Sequence, residues 1–515
     1  GDRGTYSDTS TQSKNTYTDA IATLNKSFND WSVNVNLGVS LSDSRYEMIG
    51  YEGGLKLINF FAVHNIDFNK AWKAKQSGWH DQTRAIFANA EIGWKSMIYL
   101  TATGRNDWDS RLAFSDYKSF FYPSIGLSAI LTSMFNAPDW LTYLKVRGSY
   151  TEVGNSYGRF MTTVTYPYDE QTQNWTNTSS YPNTKLKPER TKSWEVGLDA
   201  RILNDISLNL TYYRSNTYNQ TFYADLSLSS GYSNIPIQSG NIMNEGLEMS
   251  LGYNKQWKDF SFNTNYTLTW NKNRVKRLAD GVYNYATGQP IQMPELSPLT
   301  YGHTDARLIL RVGGSMGDVY GQRLLKRDLN GYILNEEGVG LAMENKETYL
   351  GSILPKMNMG WSLGFGYKGV NLGMTFTGRF GGIVISETQS VLDAAGVSKV
   401  SADVRDAGGV QINQSKVSAQ TYYQTIQGTA AYYTYSATNI RLGELSLSYT
   451  LPKKWFDNKV GMTVGLVGKN LWMIYCKAPF DPELTTSAAS NFYQGFDAYM
   501  LPSTRNFGFN VKFQF

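Results

Sequence analysis

The sequence predicts an all-β protein, a transmembrane antiparallel β-barrel, and three observations carry that reading. Apolar residues recur at every second position from one end of the chain to the other. Many of these alternating segments run for ten or more residues, longer than the five or six usual in soluble sheets. The connections between them are sorted by length, tight then long, as in an outer-membrane barrel with short turns on one side and long loops on the other. A period of 2 puts alternate side chains on opposite faces of a sheet, so each segment has one apolar and one polar face.

Taken in order, the expected spanning strands are 15–26, 31–41, 85–94, 97–104, 122–132, 142–152, 191–203, 205–215, 244–256, 259–271, 355–368, 369–380, 438–450, 459–471 and 505–515. In the second, Trp31, Val33, Val35, Leu37, Val39 and Leu41 share a face. In the seventh the apolar set is Trp194, Val196, Leu198, Ala200 and Ile202, and in the eighth Ile206, Leu208, Leu210 and Tyr212. Leu247, Met249, Leu251 and Tyr253 mark the ninth; Phe260, Phe262, Tyr266, Leu268 and Trp270 mark the tenth. Met357, Met359, Trp361, Leu363, Phe365 and Tyr367 are followed by Val370, Leu372, Met374 and Phe376. The last strand, NFGFNVKFQF, presents Phe507, Phe509, Val511, Phe513 and Phe515 to lipid and Asn506, Asn510, Lys512 and Gln514 to the lumen.

Tight turns fall at WKSM (94–97), LND (203–205), QWKD (256–259) and YKGV (367–370), with a longer PKKWFDNK (452–459). Long polar stretches lie at roughly 104–121, 153–190, 216–243, 271–355, 381–437 and 472–504. Counting back from the final strand, the first expected strand runs downward from an outside loop. An odd number of strands with such a start does not close a single-chain barrel, which has an even number. The chain is therefore expected to be the C-terminal part of a larger barrel.

Composition is compatible with this. A 41% hydrophobic content and a mean hydropathy of −0.39 suit alternation, in which the two faces cancel. LINFFAV at 57–63, about the longest apolar stretch, falls far short of the ~18–20 residues of a membrane helix. Tyr (36), Trp (13) and Gly (47) are plentiful, as strands and turns require. A net charge of +5 without a basic run argues against nucleic acid as a partner. The single Cys476 excludes an internal disulfide framework.

Several stretches resemble the SusC-like branch of TonB-dependent outer-membrane transporters: GRNDWDS (104–110), SFFYPSIGLSAIL (119–131), LKVRGSYTEVGNS (144–156), LKPERTKSWEVGLDARI (186–202), SGNIMNEGLEMSLGY (239–253), VGKNLWMIYCKAPFDPEL (467–484) and LPSTRNFGFNVKFQF (501–515). The resemblance implies about fifteen C-terminal strands of a plugged barrel of the 22-stranded type. It places the plug, the TonB-contacting segment and the first strands outside residues 1–515, within a longer chain or a separate one. It implies a nutrient importer of the outer membrane, with long loops extracellular and the C-terminus periplasmic. The implied partners are a SusD-like surface lipoprotein, the TonB complex acting through the plug, outer-membrane lipid, and a glycan (oligosaccharide) or peptide substrate. The terminal aromatic set Phe507, Phe509, Val511, Phe513 and Phe515 looks like the family's assembly signal. The rival readings are a structural, assembly or secretion barrel and a surface adhesin.

No enzyme is expected. His64, His80 and His303 fit no metal spacing, and no nucleophile elbow, phosphate-binding loop or zinc-protease motif occurs. No cofactor is expected either. DLNGYILNEEG (328–338) is a degraded calcium loop with Asp328, Asn330 and Glu337 as oxygen ligands, and Tyr332 stands where a third is needed. Carboxylates of DPE (481–483) are read as ordering the last loop. For substrate contact the candidates are the loop aromatics Trp108, Trp175, Tyr181, Tyr422, Tyr423, Tyr432, Tyr433 and Tyr493, whose faces stack on sugars or grip peptide side chains; two or three are expected to touch ligand, and most to pack the loops together or onto a lipoprotein lid.

Overall fold

The computed structural model describes residues 3–70, 72–169, 174–176, 178–238, 240–278, 288–289, 295–329, 331–332, 341–412, 415–484, 486–487 and 491–515. Its frame is one antiparallel sheet of fifteen strands. They are β1 (Thr5–Phe28), β2 (Trp31–Gly54), β3 (Trp72–Trp94), β4 (Ile98–Asp109), β5 (Phe120–Ile130), β6 (Leu141–Asn155), β7 (Glu189–Ile202), β8 (Ile206–Tyr218), β9 (Asn241–Trp257), β10 (Phe260–Arg277), β11 (Met357–Tyr367), β12 (Val370–Phe380), β13 (Asn439–Leu451), β14 (Gly461–Cys476) and β15 (Asn506–Gln514). Each strand pairs with its neighbours in chain order, and β1 and β15 form the two free edges.

All fifteen expected strands are present, but the first three are much longer than expected. Alternation of apolar and polar residues stops at Leu41, whereas pairing of β1 with β2 continues to Thr5–Gly54 and of β2 with β3 to Gly53–Trp72. The physical reason is a change of solvent. From Ser42 to Arg45 both faces are polar, and further on Tyr46, Met48, Ile49 and Tyr51 fall on both faces, so the backbone ladder continues while the pattern that marks a strand in sequence disappears. A connection at residues 55–71 closes this tall hairpin, and the sequence reading did not anticipate it.

Register aligns the apolar residues into rows that cross the sheet. Phe262, Phe365, Leu372, Leu447, Leu466 and Phe509 stand side by side on successive strands. A second row runs Leu208, Leu251, Tyr266, Trp361, Phe376, Leu442 and Trp472. These side chains meet no second layer: Leu37, Leu127, Val196, Leu447, Leu466 and Phe509 are all exposed. The opposite face is polar, as in the row Asn34, Glu91, Thr101, Gly126, Ser149, Glu195, Tyr213, Gly246 and Asn271. A wall that is dry outside and wet inside is what hydrocarbon on one side and an aqueous lumen on the other select.

At one end the turns are minimal. Lys368 and Gly369 connect β11 to β12 with φ of 45° and 89°, the positive pair that a two-residue hairpin turn needs. A Cβ on Gly369 would also stand only 2.8 Å from the Thr450 carbonyl oxygen. The other end carries every long connection, and the buried apolar residues gather there. Tyr301, Leu308, Val319, Ile353, Ile385 and Phe496 form one loop core; Leu325, Leu341, Ile412, Tyr423, Ile426 and Tyr433 form another. The core of this molecule is thus built from loops, and the sheet is its wall.

Candidate functional site

The polar face of the wall and the loops packed over it form the candidate site. Arg147 on β6 donates to Asp199 on β7 at 2.8 Å and to Thr211 on β8 at 2.5 Å, tying three strands across the polar face. Near the loop end Arg105 donates to Asp107 at 2.6 Å, and the same carboxylate accepts from the Tyr122 hydroxyl at 2.7 Å. Arg111 holds Asp109 through Nη2 at 2.6 Å, and the Ser156 hydroxyl donates to Asp109 at 2.7 Å. The GRNDWDS stretch is therefore a cross-strand network that fixes loop roots.

Three long connections, between β10 and β11, β12 and β13, and β14 and β15, are joined by buried polar contacts. The Asp305 carboxylate accepts backbone N–H groups of Gln322 (3.1 Å) and Arg323 (2.7 Å) through one oxygen and of Ala430 (2.6 Å) through the other. Ser386 caps the helix Glu387–Ala394 by accepting from the Gln389 N–H, while its hydroxyl donates to buried Asp497 at 2.6 Å. The Tyr301 hydroxyl donates to the Phe492 carbonyl at 2.7 Å, and burial pushes it well above the ordinary phenol range. Tyr349 is pushed up to about 12, by burial first and then by the Asp318 carboxylate that its hydroxyl donates to at 3.1 Å.

The last loop is anchored by a fork. Arg441 Nη1 and Nη2 donate to the two oxygens of Asp481 at 3.0 and 2.8 Å. The same guanidinium approaches Glu483 at 3.4 Å, and Asn439 donates to Glu483 at 3.0 Å. Burial raises the Asp481 carboxyl, but the Arg441 bonds and the Glu483 backbone N–H outweigh it and hold the group below the usual carboxylate range. DPE thus orders this loop against the wall, as expected from its sequence.

The candidate aromatic residues divide by position. Tyr422 and Tyr423 meet edge to face at 5.2 Å within the second loop core, where Tyr433 is buried and the Tyr432 hydroxyl accepts from the Leu325 N–H at 3.1 Å. Tyr493 meets Tyr301 edge to face at 6.1 Å, and Tyr181 packs on Ile235 and Ile237. Trp108 pairs with Arg84, on the same face as Leu41 and Ile86, so it belongs to the apolar outside. Trp175 is 71% exposed and meets Tyr168 at 5.1 Å, an aromatic pair open to solvent in a small hairpin between β6 and β7. Tyr168, Asp305, Arg147 and Arg441 were missed by sequence reasoning. Arg147 and Arg441, cations within alternating strands, left a visible signal.

Phe507, Phe509, Val511 and Phe513 lie opposite Gly468, Leu466, Val464 and Met462 on the apolar face, and Phe515 stacks on Phe513 at 6.5 Å. Of the calcium-loop residues, Asn330 and Glu337 lie outside the described residues. Asp328 ends a short strand, Arg327–Asp328, paired with Gly331–Tyr332, and the Arg327 guanidinium lies 3.8 Å over the Tyr332 ring. Among the described residues no cluster of three or more His, Cys, Asp or Glu side chains is placed to hold a metal ion.

Residues 1–471 match the family model described as TonB dependent receptor-like, beta-barrel. The chain is 24% identical to TonB-dependent receptor P3 of Formosa agariphila, over 97% of this chain and 52% of that protein. It is 24% identical to TonB-dependent receptor SusC of Bacteroides thetaiotaomicron over 46% of this chain and 22% of that one. Among solved structures it is similar to the RagAB peptide importer in its open-open state, with a TM-score of 0.77 and 18% identity over 98% of this chain and 55% of that one. The closed-closed state gives a TM-score of 0.75 at the same identity, over 98% of this chain and 56% of that one, and at this identity the likeness concerns the fold. The chain spans about half the length of the curated relatives that it matches along most of its own.

Proposed function

Since the chain belongs to the TonB dependent receptor-like β-barrel family, we propose that it supplies wall and loops to a SusC-like importer of oligosaccharides or peptides in the outer membrane. The observation that carries the reading is the fifteen-strand wall with an apolar outer face and all its long connections at one end. Residues 1–515 are the C-terminal portion of the barrel, and the remaining strands and the plug complete it. The long-loop end is extracellular, where a SusD-like lipoprotein meets it, and the C-terminus is periplasmic, where TonB acts on the plug.

In this scheme the loop cores hold the entrance in shape, the polar inner face lines the passage, and Tyr168 and Trp175 offer a stacking surface to the ligand. No bond is broken in the cargo, and no calcium ion is needed. The test is deletion of the gene in its own host, with growth on defined oligosaccharides and on peptide mixtures as sole nutrient. Loss of growth on one class, restored by the intact gene, identifies the cargo. Unchanged growth and unchanged uptake of labelled members of both classes would refute import.

A further inference from the structure

On the apolar face, β1 to β4 enclose a groove. Its floor is made of small side chains, Ala20, Ala22, Ala88 and Gly104, flanked by the taller Leu37, Val39, Ile86 and Phe121, and it encloses about 810 Å³. It continues toward the long-loop end into a second hollow of about 690 Å³ beside Leu41, Arg84 and Trp108. From Trp31 to Leu41 the strand rises roughly 33 Å at ~3.3 Å per residue, or roughly 25 Å once tilted by about 40°, the height of an outer-membrane apolar band. The groove therefore opens within hydrocarbon, and its upper mouth lies at the headgroup level.

The residues above that mouth are basic. On the same outward face, Lys14, Arg45 and His80 stand side by side in register on β1, β2 and β3, and Arg84 lies four residues below His80 on β3. Asp43 is the nearest anion, and it is already engaged by Arg45 at 3.2 Å, by His80 at 2.6 Å and by Gln82 at 3.3 Å. Glu47 stands one row further from the band. Arg84 is held only through Nε, which donates to Gln82 at 3.0 Å, and among the described residues neither Arg84 nor Lys14 has a carboxylate partner. Elsewhere on the outer rim Arg190 and Lys192 share Glu152, and Lys272 meets Glu245.

We propose that this face of β1 to β4 is a specific site for an anionic, acylated membrane lipid. An acyl chain fills the groove over Ala20, Ala22 and Ala88, and the headgroup phosphate is held by Arg84 and Lys14. The proposal rests on the reading that the apolar face meets hydrocarbon. Charge selects the occupant: a zwitterionic headgroup brings an ammonium of its own beside the two cations, whereas a headgroup of net negative charge meets them without one, at the depth where surface cations attract anionic lipid.

The test uses the intact transporter, reconstituted in nanodiscs of zwitterionic phospholipid alone or with a third of anionic phospholipid, and compares it with Lys14→Gln/Arg84→Gln and with Ala88→Phe. Native mass spectrometry of wild type released from the mixed discs should show anionic lipid retained several-fold above its share, with a melting temperature several degrees higher than in zwitterionic discs. The charge variant should lose the enrichment and the shift while keeping the zwitterionic melting temperature. Ala88→Phe, which fills the groove, should lose retention with its cations intact. Equal retention of both lipids by wild type, or enrichment unchanged in the variants, overturns the site. Failure of wild type to enter the discs at all would instead overturn the membrane reading.

Discussion

Single side chains decide how firmly the loops are held. Arg441 and Asp481 are almost fully withdrawn from water, with side chains 11% and 8% exposed, so removing one leaves the other buried and charged. Arg441→Ala should therefore cost about 3–5 kcal/mol and release the last loop, read as faster protease cleavage between residues 477 and 505. The pair also carries a pH signature. Because the folded carboxyl of Asp481 titrates below its unfolded value of about 3.9, its contribution is complete above that value and fades as pH falls through the folded one. Protection of this loop should consequently persist at pH 5 and weaken below pH 4, and Asp481→Asn should flatten the profile. For the ligand, Trp175→Ala should reduce uptake several-fold at sub-saturating substrate while Trp175→Phe retains most of it. Equal uptake by both variants would remove Trp175 from the ligand surface. Its exposure was legible as an aromatic in a polar loop. The burial of Tyr423 and Tyr433 was not, since an aromatic in a loop reads the same in sequence whether it faces ligand or a neighbouring loop.

Each strand obeys one rule, that its alternate residues face different solvents, and this made the wall readable. Leu447 and Ser446 are neighbours on β13 with opposite orientations. Leu447→Arg should destabilise the barrel by about 2–4 kcal/mol if it lies near the midplane, whereas Ser446→Arg should cost little, as measured by urea unfolding in lipid. Similar costs for the two would mean that the faces are misassigned. On β15, Phe515→Asp or deletion of Phe515 should lower the yield of inserted barrel, measured as heat-modifiable protein in the outer membrane. Unchanged yield would leave the terminal strand as wall without a signalling part. The rule also explains the largest misplacement of boundaries, in the first three strands. In residues 42–54, Ser42, Asp43, Ser44 and Arg45 make both faces polar and the apolar residues beyond them fall on both faces, so the backbone pairing that continues there has no alternating signature. The small sheet of Glu295–Thr300, Arg307–Arg311, Asp318–Leu325 and Met343–Ser352 was equally hidden. Its core joins Tyr301 to Phe496, a contact that no local pattern encodes.

As a whole, the fifteen strands form an open sheet whose edges, β1 and β15, present unpaired backbone groups. Such edges are untenable in hydrocarbon, where only closed barrels satisfy every amide. The 515 residues expressed alone should thus fail to give a protease-resistant monomer with heat-dependent gel mobility, and restoring the rest of the barrel should recover it. A stable heat-modifiable monomer from this chain alone would overturn the open-sheet account. The tall β1–β3 ribbon carries one more implication. Throughout β2 the main chain is laddered on both sides, from Trp31 up to Gly53. Deuterium should therefore enter residues 43–53 about as slowly as the lipid-embedded half, leaving a rigid mast in open water above the bilayer.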